Sequence, residues 1–522
     1  MLQLWLYLIQ TKTMSMFILA LAPILIILIL MVGFRWKASQ AGGAGYLAAL
    51  LIAWVWFKIN LPTLAYAHAK SVFLILDVLL IIWTAFLLYR VVAEAGGIEV
   101  LSKTLPHLTR DKGFQALLIG WIFASFLQGV GGFGVPTAVI APILVGLGFS
   151  PLLAVVIPSL GHTWAVTFGS LGASFNAMMA VTGLGWETLA GPAAIFLGIT
   201  GLLVGASVAL VTGGRKALAR LWLPIVLIGL CMSAAQYLTV TLGLWNIGGL
   251  MGGTVGLLVG VPLAWILRDN KQPERKFPWR DLLISLAGYG VLVGLTLVIQ
   301  LVPGVKPFLS QVRIGFDFPA TITGAGFVVP AGPGRQLYIL RHAGMILLIS
   351  SLAAYLIFRA AGWYREGALG RILKSTGQRV ISSSVGITSI VMMAVIMSHA
   401  GMTDSLAQGF SSALGWFYPV VSPWIGALGA VMTGSNANSN LVFSALQLKT
   451  AEILGLPAAF ILAAQTTGGA LGSVAAPTKV IVGASTAGME GREGEIMRKL
   501  LPVICILLLL ISLLTFVAVL IS

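Results

Sequence analysis

The stretch SFLQGVGGFGVPTA, residues 125–138, decides how this chain is read. It lies in a long apolar region, yet it holds four glycines and a proline. Its only polar side chains are Gln128 and the hydroxyls of Ser125 and Thr137. Glycine and proline are poor helix formers. Interrupted backbone at membrane depth has to be buried in protein or line a wet cavity. The stretch therefore reads as the tip of a helical hairpin and not as part of a simple span.

The surrounding composition identifies the solvent. Of 522 residues, 58% are hydrophobic and 9% charged, with a mean hydropathy of +1.01. Soluble domains carry roughly 25% charged residues. Runs such as MFILALAPILIILILMVGF (16–34) reach the ~20 residues that cross a bilayer core. The expected class is an all-α polytopic membrane protein in contact with lipid. A barrel would show short alternating segments instead. No cleavable signal is evident, and the N-terminal run reads as the first span. Cys231 and Cys505 lie far apart in apolar runs, which suggests neither a disulfide framework nor a metal site.

The net charge of +16 could suggest nucleic acid, but its distribution argues against that partner. Basic residues gather in a few connectors, as the positive-inside rule describes. About twelve spans are expected, near 15–34, 43–59, 71–89, 152–172, 193–212, 222–241, 244–267, 283–303, 343–361, 381–400, 457–475 and 500–521. Two broken segments, 114–148 and 420–453, read as re-entrant hairpins. With that assignment, six inner connectors hold 23 of the 31 Lys and Arg, and both termini face outside. The inner sets are Arg35/Lys37; Arg90/Lys103/Arg110/Lys112; Arg215/Lys216/Arg220; Arg268/Lys271/Arg275/Lys276/Arg280; Arg359/Arg365/Arg371/Lys374/Arg379; and Lys479/Arg492/Arg498/Lys499. Treating only one broken segment as a full crossing would move the later basic clusters outside.

This map divides the chain into a first repeat, 15–212, connector spans, 213–282, and a second repeat, 283–521. Each repeat carries its hairpin between its third and fourth spans, and the two repeats start on opposite sides. A weak echo accompanies them: HTWAVTFGSL (162–171) follows the first hairpin and QTTGGALGSV (465–474) the second. Inverted repeats with helices broken near the midplane are a transporter signature.

The second tip, MTGSNANSN (432–440), is rich in Ser and Asn. Glycines let backbone N–H groups approach a ligand, and half-helix N-termini favour anions. Asn, Ser and Thr serve a carboxylate as donors or a sodium ion as acceptors. The bland alternative for the glycines is close helix packing. The candidate substrate-binding residues are Gln128, Gly131, Gly132, Gly134, His162, Thr163, Thr433, Ser435, Asn436, Asn438, Ser439, Asn440, Gln465, Thr466 and Thr467, with a sodium position conceivable near Asn438 and Asn440. Asp77 is the one carboxylate set well within a span, which makes it a functional candidate by default. A packing or capping role is its equal rival. His162 is the second candidate to couple a proton, against a neutral His bonded to a backbone carbonyl. Lys479 reads as a snorkelling charge at the inner end of a span. The outer connector 304–342 reads as a plain structured loop. No zinc-protease motif, P-loop or nucleophile elbow occurs, so an enzyme is not expected, and neither is a cofactor.

FLQGVGGFGVP, LVGLGFSPL (144–152), GALGAVMTGSNANSN (426–440), LVFSALQ (441–447), AAQTTGGALGSVAAP (463–477) and YRVVAEAGGIEVLSKTL (89–105) resemble the signature regions of the lactate permease family. The resemblance implies an inner-membrane carrier for lactate or glycolate, generally a proton symporter. It also implies substrate held between two hairpin tips and an elevator-like step. Three positions depart from the family pattern. Gln128 stands where relatives typically have Glu, Asn436 where they have Asp, and His162 where they tend to have Asn. If those acids carry the coupling proton in relatives, they cannot do so here. His162 or Asp77 could take the proton, or sodium could replace it. A site with two fewer negative charges is also more favourable to anions, including more highly charged ones. The expected function is cation-coupled symport of a small 2-hydroxy monocarboxylate. A different organic anion, or an ion channel or antiporter, is the alternative. The sequence leaves room for a homodimer.

Overall fold

The computed structural model describes the whole chain except residues 1, 35, 105–108, 110, 132–133 and 267–278. Among the described residues, eleven helices are long and apolar enough to cross a bilayer. The bent pair Pro151–Ala165 and Ser170–Thr182, which turns by 43°, brings the number to as many as twelve. The helix Trp186–Thr241 contains a non-helical break at Gly213 and Gly214. Its two arms fold back on each other: Ser233 Oγ donates to the Gly198 carbonyl at 3.1 Å, and Leu202 packs on Gly229. It therefore forms two antiparallel arms, which cover the stretches 193–212 and 222–241.

The second broken segment is a helical hairpin. Tyr418–Thr433 ends at Gly434, whose left-handed φ of 72° suits a residue without a Cβ. Ser435 then caps Asn436–Leu454. Pairings between the arms step inward toward the turn: Tyr418 Oη donates to Gln447 Oε1 at 2.7 Å, Gln447 Nε2 to the Ser422 carbonyl at 3.0 Å, and Ser439 Oγ to the Gly426 carbonyl at 2.7 Å.

The first broken segment enters through Lys112–Leu117, a π-helical stretch Leu118–Phe123, and Ala124–Val130. It leaves through Val135–Gly146 after Gly134, at φ 85°. Asp111 starts this arm by accepting from the Phe114 N–H at 2.8 Å. The arm is buried on all sides, which is why its sequence is apolar without periodicity. Its cover is the glycine face of Gly248–Ile266. A Cβ on Gly253 would fall 2.5 Å from the Phe126 backbone, and one on Gly129 would fall 2.6 Å from the Leu250 backbone. Such approach is what small residues permit between helices.

The two hairpins share one packing relation. Gly120 meets Ile157, and Ser125 Oγ reaches the Gly161 carbonyl at 3.3 Å, so the entering arm runs parallel to Pro151–Gly161. Gly468 meets the Pro423 carbonyl and Gly472 the Ala427 carbonyl, so Tyr418–Thr433 runs parallel to Ala458–Gly472. Each following helix then breaks into a 3-10 turn, Thr163–Ala165 in the first half and Ser473–Ala475 in the second.

Connectors gather at two ends. At one, Arg220 pairs with Asp111 at 2.7 Å and Arg371 with Glu94 at 2.7 Å. At the other, Asn60 Nδ2 donates to the Ile322 carbonyl at 2.7 Å. The connector 304–342 is not a plain loop. Strands Arg313–Ile314, Asp317–Phe318 and Thr321–Ile322 pair with Leu337–Tyr338, Gly332–Pro333 and Val328–Val329 in a nested antiparallel ribbon. Helix ends also exceed the hydropathic spans. Ala368–His399 starts well before 381, and the amphipathic Met402–Leu414 was not anticipated. Hydropathy marks the lipid-facing stretch and is blind to polar helical turns beyond it.

Candidate functional site

Three chain breaks meet inside the protein. The first follows Pro151–Gly161, where Ser170 and Leu171 adopt left-handed φ values of 47° and 57°. Non-glycine residues in that region cost ~1–3 kcal/mol each and cluster at functional sites. The second is the tip at Gly434–Ser435. The third is the end of Ala458–Gly472.

Thr466 is the hub. Its Oγ1 lies 3.0 Å from Thr167 Oγ1, accepts from Asn440 Nδ2 at 2.9 Å and from Asn436 Nδ2 at 3.3 Å. Asn436 Nδ2 also donates to Thr167 Oγ1 at 3.1 Å, and Asn440 Nδ2 to the Ser174 carbonyl at 2.9 Å. The tip of the second hairpin is thus bonded to the break of the first half. All of these side chains are buried. The side-chain oxygens of Asn436, Asn438, Asn440 and Thr467 have no hydrogen-bond partner. Buried amide oxygens left unpaired cost ~1–3 kcal/mol each, and those of Asn436 and Asn440, which share one helix face at Thr466, mark a position where a ligand or water completes them. Asn436 Oδ1 is aimed at Gly469, 2.1 Å from where a Cβ would stand.

Several expected residues do other work. Gln465 accepts from Gln447 Nε2 at 2.9 Å and donates to Ser439 Oγ at 3.1 Å, which ties Ala458–Gly472 to the hairpin. Thr163 donates to the Leu160 carbonyl at 2.8 Å, and Thr433 to the Gly429 carbonyl at 2.8 Å. Ser435 accepts from the Asn438 N–H at 3.4 Å. These are local caps and braces. Gly131 packs on Tyr89, 3.0 Å from its ring at the Cβ position. Gly132 lies outside the described residues.

A second cluster lies beside the first tip. Gln128 is buried with Oε1 unpartnered, and its backbone packs on Gly169. His162 Nδ1 lies 2.6 Å from the Pro158 carbonyl. A carbonyl only accepts, so Nδ1 carries the proton. Nε2 is then the free position, and it is buried without a partner. Its position after a span suggests a snorkelling charge for Lys479, but the structure turns it inward. Its Nζ donates to the fully buried Ser473 Oγ at 3.0 Å, near enough to act electrostatically on His162. Lys479 lies in the short helix Pro477–Thr486, between spans. Burial lowers its ammonium to about 8.

The pair Thr478–Lys479 touches both tips. Thr478 Oγ1 is 2.8 Å from the Cβ position of Gly434, and Lys479 Cγ is 3.9 Å from that of Gly134. Sequence reasoning missed Thr167, Ser473 and Thr478. For Ser473 the available signal was the echo of 162–171 in 465–474, which aligns it with Ser170.

Asp77 has another address. Its Oδ2 takes Arg335 Nε at 3.0 Å and Nη2 at 2.9 Å, and its Oδ1 takes His342 Nε2 at 3.0 Å. His342 Nδ1 accepts the Gly344 N–H at 3.1 Å, so its proton sits on Nε2. Asp77 therefore fastens the β-ribbon connector to its span. No hydrogen bond joins it to the tip residues among the described residues.

A bundle of apolar helices long enough to cross a bilayer, with broken helices that meet around buried amides and an inward lysine, is built as a membrane transporter. The chain belongs to the L-lactate permease family, whose model matches residues 16–522. Among similar proteins, L-lactate permease of Bacillus subtilis (strain 168) is 26% identical over 92% of each chain. Glycolate permease GlcA of Escherichia coli (strain K12) is 26% identical over 90% of each. The crystal structure of the Alcanivorax borkumensis YdaH transporter resembles it over 87% of each chain, with 15% identity and a TM-score of 0.47. The protein is accordingly a multi-pass membrane protein, of the inner membrane in bacteria.

Proposed function

We propose that this protein is a secondary active transporter that takes up a small 2-hydroxy monocarboxylate, lactate or glycolate, together with a cation. The observation that carries the reading is the junction at Thr466, where Thr167 from the break of the first half and Asn436 and Asn440 from the second tip converge, the two buried amides keeping unpaired oxygens. The relatives' names support the substrate class. A 2-hydroxy acid offers a carboxylate and a hydroxyl, and both suit Asn and Thr donors and acceptors.

We further propose that the two hairpins are re-entrant and belong to an inverted repeat that moves as an elevator. The parallel packing of each entering arm on the helix after its hairpin supports the repeat. For the cation, the oxygens around Thr466 are neutral and suit sodium, whereas His162 Nε2 is the open proton acceptor beside the first tip. Counterflow tests the carrier. Proteoliposomes loaded with unlabelled lactate should take up labelled lactate faster than empty ones. No trans-stimulation, with uptake present, would mean a channel.

A further inference from the structure

We propose that Lys479 is the charge that holds the carboxylate of the transported anion and makes the site anion-selective. This rests on the transporter reading above.

The geometry is unusual for a span-end lysine. Lys479 is only partly exposed, and its Nζ is held by a neutral hydroxyl, that of Ser473. No carboxylate pairs with it among the described residues. Ser473 Oγ itself donates to the Ala470 carbonyl at 2.9 Å, so its hydrogen is spent and its oxygen receives the ammonium. Two further Nζ–H donors are left without a protein acceptor among the described residues. A drawn-in cation with no counter-charge is costly unless an anion arrives to complete it.

The neighbours fit that visitor. Gly134 stands beside the Lys479 stem and begins Val135–Gly146 with no side-chain cap. The first N–H groups of that helix therefore lack a side-chain acceptor. His162 offers an unpartnered buried Nε2, which suits the substrate hydroxyl. Gln128 and Asn436 are amides in the two tips, so no acid there neutralises the lysine. Because Thr478 and Lys479 bridge Gly134 and Gly434, an anion on Lys479 would sit where both tips report its presence. The role assigned to Lys479 is specificity for charge; Thr466 and its amides hold the rest of the molecule or the coupling ion.

Among the described residues, His162 is a titratable group set against Lys479. On the following helix Glu493–Ile521, Glu495 is closed on Arg492 at 2.8 Å. Raising the pH through about 8 therefore discharges the lysine first, and anion affinity falls.

The experiment is equilibrium binding and exchange of L-lactate, with lactamide as neutral competitor, on purified full-length protein and its K479Q and K479R variants. Wild type should favour lactate over lactamide. K479Q should bind lactate at least about 30-fold more weakly, as when one partner of a buried charge pair is removed, with lactamide affinity little changed. K479R should retain affinity and lose its alkaline fall, because guanidinium does not discharge there. Unchanged lactate affinity in folded K479Q would overturn the proposal. Should K479Q not fold, the pH profiles decide: an alkaline midpoint unmoved in K479R would overturn it equally. If wild type neither binds nor exchanges lactate, glycolate or larger carboxylates, the transporter reading itself fails, whatever Lys479 does.

Discussion

Replacing Gly469 by alanine probes the site without replacing a polar residue. The new methyl would stand 2.1 Å from Asn436 Oδ1 and 3.4 Å from the Gly426 carbonyl. The second contact is tolerable. The first is not, against ordinary separations of about 3.5–4.0 Å. The carboxamide must therefore rotate away, and its Nδ2 leaves Thr167 and Thr466, now at 3.1 and 3.3 Å. Two hydrogen bonds at about 1 kcal/mol each come to about 2 kcal/mol, or about 30-fold in kcat/KM if the amide orientation is needed for binding. The assay is initial-rate uptake of labelled lactate into proteoliposomes, with thermal unfolding in parallel. Gly468→Ala is the comparator. Its methyl would meet the Pro423 backbone oxygen at 1.9 Å, which no rotamer relieves, so it should impair folding itself. Gly469→Ala with kinetics within twofold of wild type would refute the assignment of Asn436 to the site.

Three further outcomes follow from the geometry. Asp77→Asn should lower thermal stability by about 3–5 kcal/mol, the range for breaking a buried ion pair, while lactate KM stays within a few fold; lost gradient-driven uptake with stability intact would make Asp77 a coupling residue instead. Thr466→Val removes the acceptor shared by Asn436 and Asn440 and should cut kcat/KM by at least tenfold, read from uptake rates; Thr433→Val, which removes a local cap, should cost about 1 kcal/mol of stability and little affinity. If His162 carries the coupling proton, His162→Gln should abolish proton-gradient-driven uptake while exchange persists, because the Gln amide can still hydrogen-bond the substrate hydroxyl; unchanged driven uptake would remove it from the scheme.

The breaks were legible because glycine and polar residues are costly in an apolar helix unless they serve a turn or a ligand. That argument picked out Gly134, Asn436 and Asn440 from the chain alone. It could not distinguish a residue facing the site from one bracing it. Gln465 and Asn440 look alike in sequence, and only the fold gives one to Gln447 and the other to Thr466. Asp77 was singled out correctly as expensive. Its partners Arg335 and His342 lie more than 250 positions away, in a connector whose β-ribbon has no hydrophobic alternation to announce it. Lys479 was misjudged because one lysine after a span usually snorkels. Its inward course depends on Ser473 and on the 3-10 turn Ser473–Ala475, which are tertiary facts.

The most direct test is uptake of labelled L-lactate and glycolate by the purified protein in proteoliposomes, under an inward proton or sodium gradient. Concentrative, saturable uptake driven by one of the two gradients is predicted. Absence of uptake of these and of larger carboxylates under either gradient would contradict the account.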